Sequence, residues 1–155
     1  MEEVANRIKE IVGRETPVLY SYTEEMVSLL RNAQGRTVKE ILGHLIDSAS
    51  NNHQRMVRLH YNDTLSFPDY TDANDLWIAV QRYNEAPWKE VVGLWEYYNL
   101  HLARIIGGFD QSKLGNLWHD SQGRAISLGE MAGSYLWHLE LHLGEIHSLI
   151  LSAKI

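Results

Sequence analysis

The stretch that decides the fold is YLWHLELHLGEI, residues 135–146. Its apolar residues recur every three or four positions, which is the period of an amphipathic α-helix. His138 and His142 share one face of that helix, because positions four apart differ by about 40° around the axis. A second stretch of the same period, ILGHLIDSASNNHQR at 41–55, carries His44. The sequence therefore predicts two helices whose histidines lie on the faces that pack against neighbouring helices.

The same period runs through most of the chain, while Gly and Pro collect between the periodic segments. No segment shows convincing strand alternation, so we predict an all-α fold, a four-helix bundle that forms a single domain over residues 1–155. Capping-box spacings at Thr37/Glu40 and Ser127/Glu130 mark the starts of two long helices. The predicted segments are a helix over 2–32 broken near Gly13 and Pro17, helices over 37–61, 72–84, 87–107 and 127–152, and loops over 62–71 and 109–126.

Composition excludes several classes of partner. The chain has 14 basic and 20 acidic side chains and a net charge of -6, which disfavours nucleic acid and anionic lipid surfaces. Neither a secretory signal pattern nor an apolar run of about 18 residues is present, so we expect a cytoplasmic protein without a membrane span. Cysteine is absent. Any thiol chemistry must therefore use a thiol that a cosubstrate brings in.

His44, His138 and His142 are typical of a three-imidazole metal site, which leaves coordination positions open for water or substrate. Zn and Ni are the favoured divalent ions, and Fe, Mn or Cu are alternatives. With eight histidines in the chain, a pair at spacing four also arises readily by chance, so core polar histidines are the competing interpretation. His53, His60, His119 and His147 are expected to be solvated, and His101 to lie outside the site.

Polar residues follow His44 along one helix face. Asn51 and Arg55 lie within about 40° of it and are candidates for substrate binding, while Asp47 lies about 60° to one side. Asp47 and Glu145 are candidates to accept a hydrogen bond from a metal-binding imidazole and to act in catalysis. Arg55 suits an anionic substrate group or a buried ion pair. We therefore expect a cleft between the helices that carry His44 and His138. The loops at the bundle ends are expected to contribute to its lining.

These residues carry a family resemblance. GHLIDSASNNHQR (43–55), QRYNEAPW (81–88), LWEYYNLHL (94–102) and YLWHLELHLGEIHSLI (135–150) resemble the DinB family of metal-binding four-helix bundles. The resemblance implies that His44, His138 and His142 hold a divalent metal. Many members have a further histidine where this chain has Leu141 and a glutamine where it has Glu145. The superfamily includes bacillithiol S-transferases and mycothiol-dependent isomerases, and the resemblance implies no DNA binding.

Four functions remain open from the sequence alone. The leading hypothesis is a metal-dependent transferase that activates a low-molecular-weight thiol for attack on a small electrophile. The second is a hydrolase in which the metal activates water, and the third is a non-catalytic bundle that binds metal or a small ligand in a stress response. A structural bundle that pairs through an apolar helix face is a further possibility. A homodimer is expected, because the family and bundles with apolar outer faces commonly form one.

Overall fold

The computed structural model describes residues 1–153 and has six α-helices and three short strands within them. Three single turns of 3-10 helix lie in the connections. The elements in chain order are α1 (Glu2–Tyr20), α2 (Glu24–Leu29), α3 (Val38–Arg58), β1 (Thr64–Ser66), α4 (Asn74–Gln81), α5 (Trp88–Gly107), β2 (Leu117–His119), β3 (Ala125–Ser127) and α6 (Leu128–Ser152).

The long helices α1, α3, α5 and α6 form the predicted four-helix bundle. Helix α1 packs against α5 and α6, and α3 packs against the same two helices from the other side. Their facing side chains make one apolar core in which Trp88 and Trp95 are buried. None of the helices in residues 1–153 is both long and apolar enough to cross a membrane.

Both predicted capping boxes are confirmed, and they start the two helices that carry the histidines. The Thr37 hydroxyl accepts a hydrogen bond from the Glu40 backbone N–H, and the Glu40 carboxylate accepts one from the Thr37 N–H at 2.7 Å. Ser127 and Glu130 repeat the arrangement at the start of α6. Because reciprocal capping satisfies N–H groups that have no partner in the first turn, each helix begins at a defined residue.

The predicted break of the first helix at Gly13 and Pro17 is wrong. Helix α1 runs through both residues to Tyr20, and the interruption comes at 21–23, before α2. Pro17 lies in the last turn, where its ring removes one hydrogen bond from a helix that is about to end. The apolar face of α1 is buried against the bundle, and this burial offsets the local cost.

The prediction that residues 62–71 and 109–126 are loops without strands is also wrong. Strand β1 pairs in parallel with β2, and β2 pairs antiparallel with β3, so that the sheet order is β1-β2-β3. Each strand has three residues, which is too short for alternation to be visible in the sequence. The sheet fixes the two long connections to each other and to the start of α6.

Candidate metal centre

Three histidines converge between α3 and α6. His44 lies seven residues after the Thr37 cap and is buried, while His138 and His142, one turn apart on α6, are half-buried. The ring centroids of His44 lie 5.0 Å from those of His138 and His142, which are 4.6 Å from each other. The structure thus brings together the three residues that the sequence predicts as a cluster.

The separations of the ring nitrogens fit a single metal ion. One nitrogen from each ring can be chosen so that all three lie within 4.8 Å of one another, and His44 Nε2 lies 3.1 Å from His138 Nε2. Two imidazole nitrogens bound to one ion are separated by about 3.3 Å in tetrahedral geometry and about 2.9 Å at a right angle. The observed value lies between them.

The protonation states of the imidazoles suit metal binding as well. Burial, reinforced by the other two imidazoles, lowers the pKa of His44 to about 3. Burial and the neighbouring His142 lower the pKa of His138 to about 4. Neutral imidazoles keep the lone pair that a metal requires. The buried Nδ1 atoms of His44 and His138 have no hydrogen-bond partner among residues 1–153.

Glu145 orients His142. The Nδ1 atom of His142 donates to Glu145 Oε2 at 2.8 Å, which leaves its Nε2 atom for the cluster. The other carboxylate oxygen of Glu145 accepts a hydrogen bond from Asn32 Nδ2 at 2.7 Å. Asn32 lies in the turn between α2 and α3, where its side-chain oxygen accepts from two backbone N–H groups. The sequence marks this turn by its glycine but contains no signal that links it to α6.

Asp47 has a different environment from the one that the sequence suggests. Its Oδ1 accepts hydrogen bonds from Tyr83 Oη at 2.6 Å and from Gln81, and no hydrogen bond joins it to the three histidines in the described part of the chain. Its Oδ2 is buried and has no hydrogen-bond partner within residues 1–153. Burial raises the pKa of Asp47 to about 6, although both hydrogen bonds oppose the rise. Asp47 therefore joins α3 to the segment that precedes α5.

A cavity of about 600 Å³ opens beside the cluster. His44 and His138 form part of its wall, and Arg55 lines it farther along α3. Both long connections reach it, as expected. The wall also includes residues that the sequence analysis did not assign to a site, namely Ser48, Asp69, Tyr70, Trp118, Asp120 and Arg124. Asn51 is buried and is absent from the part of the wall formed by residues 1–153.

Two histidines that the sequence places in solvent make specific contacts. His147 Nε2 donates to the buried Glu15 at 2.6 Å, and its Nδ1 lies 3.1 Å from Tyr22 Oη. His53 Nδ1 lies 3.2 Å from Tyr98 Oη. Both histidines lie on helix faces opposite the cluster, where neighbouring helices supply partners that helix periodicity alone does not reveal. His101 is exposed on α5, outside the site.

The fold is similar to that of a solved bacterial structure. It superposes on YfiT from Bacillus subtilis, a probable metal-dependent hydrolase with an unusual four-helix bundle topology, with a TM-score of 0.88. The match covers 98% of this chain and 86% of that one at 16% sequence identity.

A second solved structure, the mycothiol-dependent maleylpyruvate isomerase, matches with a TM-score of 0.74 and 13% identity. The match covers 91% of this chain but only 58% of that one. No family model and no curated protein matches the sequence. The structural matches confirm the predicted four-helix-bundle fold: this chain has the fold of YfiT and carries a three-histidine cluster between its third and sixth helices.

Proposed function

We propose that this protein is a metal-dependent enzyme in which His44, His138 and His142 bind one divalent ion that activates a small thiol for attack on an electrophile. The observation that carries the proposal is the convergence of three imidazoles beside a cavity of about 600 Å³, whose wall includes two of them, His44 and His138. Structural zinc sites are closed by four protein ligands, whereas three ligands beside a cavity are typical of catalytic sites. Zn²⁺ and Ni²⁺ are the ions that we expect.

The ion would lower the pKa of a thiol or water that reaches its open positions. The chain's own residues would hold the ion and orient its imidazole ligands. Glu145 fixes the ring of His142 and leaves Nε2 available. Tyr70, whose ring centroid lies 6.0 Å from that of His44, lines the same cavity, and burial raises its pKa to about 12. It therefore remains a neutral phenol that can donate a hydrogen bond to a ligand.

A thiol is the favoured nucleophile for two reasons. The chain has no cysteine of its own, and one solved protein of the same fold is a mycothiol-dependent isomerase. In the proposed reaction the thiol sulfur forms a bond to an electrophilic carbon of the second substrate. The leaving group departs with its bonding electrons, and the thiol proton passes to solvent.

Hydrolysis is the second candidate. It is supported by the likeness to YfiT, which is a probable metal-dependent hydrolase. The same three histidines would then serve an ion that activates water, and the two reactions differ only in the nucleophile. Glu145 is hydrogen-bonded to the cluster through His142, and its oxygens are already occupied by His142 and Asn32. This arrangement favours orientation of His142 over general-base catalysis by Glu145 and ranks the thiol reaction first.

Metal content and two chromogenic reactions test the proposal. We expect one metal per chain by mass spectrometry in protein purified without added metal, and none in His44→Ala or His142→Ala. The loaded protein should accelerate the reaction of mercaptoethanol with chlorodinitrobenzene, and His44→Ala should not. Cleavage of nitrophenyl acetate without thiol acceleration would favour the hydrolase. Metal without either reaction would favour a binding protein, and no metal after reloading with Zn²⁺ or Ni²⁺ would contradict the site.

A homodimer remains part of the proposal. Trp137 and Leu141 lie one turn apart on α6 with 63% and 48% of their surface accessible, and Trp137 also lines the edge of the cavity. Burying them against a second copy would remove apolar surface from water. Analytical ultracentrifugation of the wild type and of Trp137→Glu should show a dimer and a monomer, respectively.

A further inference from the structure

Arg55 is a buried cation whose guanidinium has no hydrogen-bonded carboxylate among residues 1–153. It lies on α3 with 7% of its side chain exposed and lines the cavity. Its Nε is closed off from solvent and has no hydrogen-bond partner among residues 1–153. Burying such a donor without a partner is unfavourable. The burial itself lowers the pKa of Arg55. The contacts of the guanidinium within the bundle therefore offset only part of the free-energy cost of burying it.

The neighbours of Arg55 orient its guanidinium but accept no hydrogen bond from it. Its guanidinium carbon lies 4.2 Å from the centroid of the Trp118 ring, so one face of the group is stacked. The nearest carboxylate atom, Asp69 Oδ1, lies 3.7 Å from Nη2, which is within ion-pair distance but beyond hydrogen-bond distance. The two Asp69 oxygens accept instead from the Tyr70 backbone N–H and the Thr71 hydroxyl, each at 2.8 Å.

The other arginine in the cavity wall is engaged. Arg124 Nε donates to Asp120 Oδ2 at 2.6 Å, and Asp120 also accepts from the Arg124 backbone N–H. The cavity therefore contains one arginine with a hydrogen-bonded carboxylate and one without. A planar guanidinium presents paired N–H donors that match the two oxygens of a carboxylate. The chemistry that completes the Arg55 environment is a carboxylate supplied by a ligand.

Arg55 and the metal centre lie along one wall of the cavity. Arg55 follows His44 by 11 residues on α3, which is about 16 Å along the helix axis. Ser48 and Asn52, which lie between them on the helix, line the same cavity. A ligand that reaches both ends must be extended, with its reactive atom at the histidines and its anion at Arg55.

We propose that Arg55 binds the carboxylate of an extended thiol whose sulfur enters the His44/His138/His142 centre. This inference rests on the proposed function and names its substrate class, an acyclic or otherwise elongated thiol with a carboxylate remote from sulfur. Short mercaptocarboxylates cannot span the two positions and gain nothing from Arg55. Long mercaptocarboxylates gain a charge-assisted, bidentate hydrogen bond, which corresponds to an affinity gain on the order of tenfold or more.

The test uses matched pairs of thiols. Protein loaded with Co²⁺ reports sulfur binding through a sulfur-to-cobalt charge-transfer absorption. The protein is titrated with three pairs of thiols, each an acid and the matching alcohol. The pairs are mercaptoundecanoate and mercaptoundecanol, mercaptohexanoate and mercaptohexanol, and mercaptoacetate and mercaptoethanol. We expect the acid to bind about tenfold more tightly than the alcohol in a longer pair and equally in the shortest pair. Arg55→Met should abolish the difference while leaving the affinity for the alcohols unchanged.

Two further variants serve as controls for the effect of charge alone. Arg55→Lys keeps the charge but not the planar fork, so it should retain only part of the preference for the acid. It also keeps the test decisive if Arg55→Met does not fold. Arg124→Met removes an equal charge from the same cavity wall, where the side chain is already paired with Asp120. It should leave the preference intact.

The outcomes separate this inference from the proposed function. If no thiol changes the cobalt spectrum, thiol activation and the carboxylate subsite both fail. If acids and alcohols bind equally at every length, the metal centre accepts thiols and the Arg55 subsite is wrong. A preference that persists in Arg55→Met, or that disappears equally in Arg124→Met, also overturns the assignment, because it would show a diffuse positive field.

Discussion

Glu145 Oε2 lies 2.8 Å from His142 Nδ1, and its second oxygen is held at 2.7 Å by Asn32. The carboxylate therefore connects the turn before α3 with the metal-facing histidine on α6. Imidazoles that bind metal commonly donate their other N–H to such an acceptor, which sets the ring orientation and raises the basicity of the ligand. Glu145 is accordingly a positioning residue for the cluster.

Replacing Glu145 with glutamine should weaken metal binding by about 10- to 100-fold, because the acceptor oxygen is kept but its charge is lost. Zn²⁺ affinity measured by competition with a chromogenic chelator checks this. Glu140→Gln is the matched control, since Glu140 lies on the same helix but pairs with Arg7 at 2.8 Å. Equal affinities in wild type and Glu145→Gln would show that the carboxylate has no influence on the ligand.

Removal of one imidazole should abolish stoichiometric metal without unfolding the bundle. His138→Ala leaves two imidazoles, which bind a divalent ion far more weakly than three. Its ring is half-buried at the cavity wall, so helical content by circular dichroism should change little. His101→Ala, on the exposed side of α5, should retain full metal content. Unchanged metal in His138→Ala would contradict the three-histidine site.

The sequence reveals the parts of this site that depend on a single helix. His138 and His142 are recognisable because one turn separates them, and the Thr37 and Ser127 caps define the helices that carry the cluster. DinB resemblance, rather than spacing alone, links His44 to that pair. These features either lie within one helix or belong to a sequence pattern shared by a family. They can therefore be recognised before the fold is known.

The partners that come from other elements are not visible in the sequence. Trp118 reaches Arg55 because three-residue strands pair across a long separation in the chain, and strands of that length leave no periodic signal. Asn32 and Tyr83 lie in connections whose paths depend on how the bundle packs. Helix periodicity could place Asp47 near the polar face of α3 but could not show that its hydrogen-bond partners are Tyr83 and Gln81.

Asp47 should make stability fall as pH rises between about 4 and 6. Its pKa is raised from 3.8 to about 6 by burial, so in this window the folded state binds more protons than the unfolded state. His44 and His138 act in the opposite direction, because their lowered pKa values make stability rise with pH over the range up to about 6.5. The contribution of Asp47 therefore has to be isolated by difference.

The Asp47→Asn variant isolates the contribution of Asp47 to the pH dependence of stability. Urea denaturation of metal-free protein at several pH values should show the stability of the variant rising relative to wild type from pH 4 to 6 and levelling off above. The histidine contributions cancel, because both proteins have them. Asp110→Asn serves as the comparison: hydrogen bonds from Ser112 lower the pKa of Asp110, so its difference from wild type should be nearly constant over this range. A difference for Asp47→Asn that does not depend on pH would contradict the raised pKa.

Gly43 is required for the approach of Tyr83 to α3. A Cβ atom at this position would overlap the Tyr83 ring, whose hydroxyl donates to Asp47 at 2.6 Å. Gly43→Ala should therefore destabilise the protein by about 1–3 kcal/mol despite the better helix propensity of alanine, because the ring has to move in a packed interior. The midpoint of urea denaturation measures the change.

Gly133→Ala is the control for Gly43→Ala. Gly133 is exposed on α6, and a Cβ atom there meets nothing within 4 Å. Alanine at this position should stabilise the protein by about 0.5–1 kcal/mol, since only the helix preference changes. If both variants were stabilised alike, Tyr83 would not be packed against Gly43. The hydrogen bond from Tyr83 to Asp47 would then lose its structural basis, and with it one of the two contacts that oppose the rise in the pKa of Asp47.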